Sequence, residues 1–268
     1  MLRAIEPSAE ASERVQKALY SRVDSSVMPV LLLRPIALVA AVLLSLTPMS
    51  LSAQALVLDE GTFSLFMNGE RIGREDFSLR AARSSGGGYI GQGNLLNGEQ
   101  RHTVVLAVDS AGAPLRFQLD TREDGKVIAS VAGQQERQVW STRIVRAGIE
   151  SARESRLQRD TFIAELGVIH QLWFVLRFGE GRPLILLSPS GPTQLRVVLE
   201  EQAPDRVALG LREFVARRWL LRRSEDGVVV WEVWTDPAGR LLKAANRLSA
   251  LEALRDDPPA ETSGASRT

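Results

Sequence analysis

From Gly61 to Leu248 the chain alternates apolar and polar residues in short runs, broken by a turn signal about every 8–12 residues. A period of two puts successive side chains on opposite faces of an extended strand. Phe63, Leu65 and Met67 form one such face, and Glu75, Phe77, Leu79 and Ala81 form the next. Between them lies Asn68-Gly69, whose residue types suit the two positive φ angles of a tight hairpin turn. The same grammar recurs at Asn97-Gly98, Glu123-Asp124-Gly125 and Asp236-Pro237-Ala238-Gly239. It predicts a mainly β fold: a curved antiparallel sheet or an open barrel.

One stretch breaks the period. Phe162, Leu166, Ile169, Trp173 and Leu176 recur near the helical spacing, with Asp160 or Thr161 able to cap the start and Gly179, Gly181 and Pro183 to end it. This predicts one central helix over about 161–177. Asp109-Ser-Ala-Gly and Asp236-Pro-Ala-Gly echo one another on either side of it. The β-rich domain, 56–250, is thus either one unit or two related halves, a recurring common turn being the alternative.

The segment before residue 56 reads as an address. Ile36–Leu46 is an apolar run of signal-peptide length, preceded by Arg34 and ended by Thr47-Pro48. Ala53-Gln54-Ala55 follows, the small-x-small pattern that signal peptidase reads. The expectation is a signal peptide over 28–55, cleavage after Ala55, and a periplasmic or secreted protein with no stable membrane span. Residues 1–27 suit no signal peptide and read as a disordered, over-extended start, with Met28 the natural one. The alternative is a membrane anchor kept uncleaved. The last residues, 251–268, turn small, acidic and Pro-rich and read as a disordered tail.

Composition excludes whole classes of chemistry. The chain has no Cys, hence no disulfide, thiolate metal site, thiol nucleophile or lipidated cysteine. Two His leave little for a His-rich metal site, and no metal or cofactor is expected. Loss of residues 1–55 leaves 28 of the 33 basic and 28 of the 32 acidic groups, a net charge of zero, which does not suggest nucleic acid.

The order of elements resembles that of uncharacterised secreted or periplasmic antiparallel-β families of unknown function. The residues that carry the likeness are Gly69-Glu70-Arg71-Ile72-Gly73, Leu176-Arg177 and Trp234-Thr235-Asp236-Pro237-Ala238-Gly239. The resemblance implies a curved sheet wrapped round a helix, similar in outline to periplasmic lipoprotein carriers, and implies no catalytic residue.

No stretch carries a catalytic signature, and the reading favours a protein that is not an enzyme. Gly86-Gly87-Gly88-Tyr89-Ile90-Gly91 fits a dinucleotide pattern, but strands flank it where a helix N-terminus is needed. Ser188 and Ser190 lack a nucleophile elbow. His102 reads as an exposed strand residue and His170 as a core histidine. Arg217-Arg218 and Arg222-Arg223 read as an Arg-rich strand edge, or as a contact for an anionic headgroup. The aromatic residues Trp173, Phe174, Trp231 and Trp234 are the candidate ligand contacts, with core packing as the alternative. These features suggest an exported, non-enzymatic envelope protein that binds a lipid, another apolar ligand or a client in the concavity of its sheet. A structural or interaction module holding an envelope protein is the second reading, and a hydrolase with a dispersed site the third.

Overall fold

The computed structural model describes residues 56–82, 87–191 and 194–259. The signal segment, residues 1–27 and the end of the tail lie outside them. Fifteen strands form one sheet. The first eight are β1 (Leu56–Met67), β2 (Glu70–Ala81), β3 (Tyr89–Asn97), β4 (Gln100–Val108), β5 (Pro114–Glu123), β6 (Lys126–Glu136), β7 (Val139–Arg146) and β8 (Ile149–Arg156). Each pairs antiparallel with the next. The others are β9 (Thr161–Ile163), β10 (Pro183–Leu187), β11 (Gln194–Leu209), β12 (Arg212–Arg223), β13 (Val229–Thr235), β14 (Leu241–Asn246) and β15 (Leu251–Arg255). β15 lies between β1 and β14, and β8 and β9 are the two margins of the sheet. Asn68 and Gly69 take φ of 51° and 84°, as a tight hairpin requires.

Those margins are consecutive in the chain. Residues 157–160 join them, and so short a link reaches at most about 18 Å. The sheet therefore curls until its edges face each other, giving a barrel-like wall whose seam is not a strand pair. Side chains reach across it: Arg153 donates to the Gly191 carbonyl and Arg146 to that of Ser190.

Inside the wall, α1 (Leu172–Phe178) is the one helix among the described residues. It is shorter than the sequence period predicts. Thr161–Ile163, β-branched and aromatic, pairs in parallel with Ile185–Leu187 as a strand. Gly167, at φ +86°, then breaks any helical path. Leu172, Phe174 and Val175 join Phe63, Leu79, Val104, Phe117 and Trp140 from the wall in the main core. Each such side chain contributes roughly 1.5–3 kcal/mol by leaving water.

Two further expectations are corrected. The tail does not begin at 251: Leu251, Ala253 and Arg255 face inward as β15, because an alternating pattern runs on to Arg255 before the Pro-rich residues start. The Arg-rich strand is no edge, since β12 lies between β11 and β13. Its arginines hold Glu201, Glu232, Glu200 and Asp226 in turn. The two Asp-x-Ala-Gly turns do match in geometry. In each, the Asp carboxylate accepts the amide four residues on, from Ala113 or Arg240, at 2.8 Å.

Candidate functional site

The helix plugs the middle of the barrel and leaves a cavity at each mouth. Its path is set by glycines on the inner face of β3. A Cβ at Gly91 would lie 2.8 Å from the Phe174 ring, and one at Gly93 would lie 2.7 Å from the His170 ring. His170 and Glu75 are both fully buried here and hydrogen-bonded through Nδ1. The Glu75 carboxylate also accepts the Ile169 amide at 2.7 Å and the His170 amide at 3.3 Å. This fastens the residues before α1 to β2.

The lower mouth lies at the end that carries the 68–69 and 98–99 turns. Its cavity, about 390 Å³, has an inner wall of Leu65, Leu95, Leu119, Val131 and Val168. The rim is polar: Gln100, His102, Thr121 and Arg146. Alternation along β4 and β5 brings His102 opposite Thr121, and the imidazole Nδ1 lies 3.0 Å from its hydroxyl. Burial pushes the His102 pKa below its ordinary value, which leaves the ring neutral at neutral pH. Glu165 closes one side and is itself nearly buried. Its carboxylate accepts the Ser188 hydroxyl at 3.0 Å, the Ser190 amide at 3.0 Å and the Ser190 hydroxyl. The two serines thus hold a carboxylate and are not arranged as a nucleophile.

The upper mouth has a cavity of about 380 Å³ between Tyr89, Trp173, Trp219 and the 237–240 turn. Arg177, Arg217 and Arg240 border it. Arg217 lies over the Trp219 ring, 4.5 Å from its centroid, and pairs with Glu201 at 2.7 Å. Arg240 pairs with Asp236 at 2.7 Å.

The four aromatic candidates do not converge. Trp173 borders the upper cavity, edge-on to Phe174 at 5.2 Å. Phe174 and Trp231 lie in the main core. Trp234 lies in a second apolar cluster, with Val207, Leu209, Ala216 and Leu242. There the far half of the β11–β12 hairpin, bent at an irregularity after Gln202, packs back on the sheet, and the Trp234 indole donates to Asp205 at 3.0 Å. The lower cavity was missed because its wall comes from strands distant in sequence. The available signal was His102, a polar residue in register with the apolar Val104 and Leu106. Among the described residues no group of three His, Asp or Glu lies together as a metal site, and no helix is long and apolar enough to cross a membrane.

No known protein-family model matches the chain, and no curated protein does. Among solved structures it is similar to a β-barrel-like protein of a domain of unknown function, DUF1849, from Brucella abortus. The identity is 12 % and the TM-score 0.48, over 75 % of this chain and 96 % of that one.

Proposed function

We propose that this is an exported, non-enzymatic binding protein that takes an apolar molecule into the lower mouth of its barrel. One observation carries the reading: a cavity of about 390 Å³ with an apolar inner wall and a polar rim, the usual constitution of a small-molecule site. The signal-like segment before residue 56 supports a site of action in the periplasm or outside the cell.

The test uses the neutral apolar dye N-phenyl-1-naphthylamine, whose emission rises in an apolar pocket. The purified protein binds it saturably. Leu119→Trp fills the lower cavity and weakens binding at least about tenfold. Trp173→Phe, at the upper mouth, leaves it unchanged. Loss of binding in Trp173→Phe but not in Leu119→Trp moves the site to the upper mouth and overturns the proposal.

A further inference from the structure

At the upper mouth Arg217 and Arg240 hold carboxylates, and Arg177, which has no carboxylate partner among the described residues, is exposed to solvent at the end of the helix. At the lower mouth Arg146 has no carboxylate partner among the described residues. Its contact there is a long one, 3.4 Å to the Ser190 carbonyl. The acid beside it, Glu165, has its oxygens occupied by Ser188 and Ser190. The rim therefore presents one guanidinium above an apolar wall, with the His102 imidazole on the same rim three strands away.

We propose that the lower mouth recognises a single-chain carboxylate, with its hydrocarbon tail against Leu95, Leu119 and Val131 and its carboxylate on the Arg146 guanidinium. This rests on the reading of the lower mouth as an apolar binding site. A guanidinium offers two parallel N–H donors that match the two oxygens of a carboxylate. The His102 Nδ1 lies 3.0 Å from the Thr121 hydroxyl, and in the tautomer where that hydroxyl donates, Nε2 carries the ring proton as an uncharged donor on the rim. One positive charge matches one negative charge. A phosphate dianion would leave charge unmatched close to Glu165, and that favours the monoanion.

Displacement of N-phenyl-1-naphthylamine by palmitate and by hexadecanol tests the proposal, since the two share a tail and differ at the head. The wild-type protein binds palmitate at least about tenfold more tightly than the alcohol. Arg146→Gln lowers palmitate to the level of the alcohol and leaves the alcohol unchanged, which also reports that the pocket is intact. Equal affinity for acid and alcohol in the wild type, with Arg146→Gln silent, overturns the headgroup assignment and leaves the apolar site standing. A lysophosphatidate that binds more tightly than palmitate overturns it too. If neither palmitate nor hexadecanol displaces the dye, the reading of the mouth itself fails.

Discussion

At Gly93 a missing methyl group decides how close the interior can come to the wall. An added Cβ would meet the His170 ring at 2.7 Å and the Glu75 carboxylate at 3.1 Å, in a place where neither partner has room to retreat. Gly93→Ala should therefore cost about 1–3 kcal/mol, although alanine suits a strand better than glycine. Asn94→Ala, one residue away on the exposed face, should stay within about 0.5 kcal/mol. Urea denaturation measures both, and an unchanged midpoint for Gly93→Ala would show that the close approach stabilises nothing. Part of this cluster was legible beforehand. Glu75 shares a sequence face with Phe77 and Leu79, and His170 sits among apolar neighbours, so each reads as interior. That they meet was not legible, because they are 95 residues apart and nothing local encodes the pairing.

Among the elements, β15 shows what alternation alone cannot reveal. Five residues are too few to stand out against the Pro-rich stretch that follows, so the tail expectation absorbed them. What makes β15 a strand is distant: Arg255 donates to both Asp59 oxygens at 2.8 and 2.9 Å and to the carbonyls of Glu60 and Leu241. Burial pushes the Asp59 pKa up, and the Arg255 hydrogen bond and charge oppose that shift without cancelling it. Desolvation is thus the larger effect on the Asp59 carboxylate, which favours its neutral form. Arg255→Met alone leaves a buried carboxylate unpaired and should destabilise by about 3–5 kcal/mol. Adding Asp59→Leu should restore most of the loss. Thermal melts of the single and double variants decide the point, and a double variant no more stable than Arg255→Met would contradict it. The one expected helix is present, but it starts eleven residues later than its apolar spacing predicts, at Leu172 instead of about 161. Its apolar spacing was real, but Thr161–Ile163 found a strand partner in β10 and Gly167 broke the path between. The hairpins, by contrast, were well placed, because Asn-Gly and Asp-Gly turns carry their geometry locally.

The whole molecule is a wall with a seam. β8 has one strand neighbour and mostly exposed side chains, whereas β1 and β15 are paired on both sides. Amide hydrogen exchange should follow this order, with β8 exchanging at least about tenfold faster than β1 and β15. Equal protection would mean that the margins are joined by backbone hydrogen bonds. The placing of β15 has one more consequence. It is the single link between the sheet of β1–β8 and that of β9–β14, and its Arg255 meets a residue 196 positions earlier. Without β15 the strand order falls into two sheets, β1–β8 and β9–β14, each with an unpaired edge where β15 would lie. The barrel is closed by the strand that comes last in chain order among the described residues.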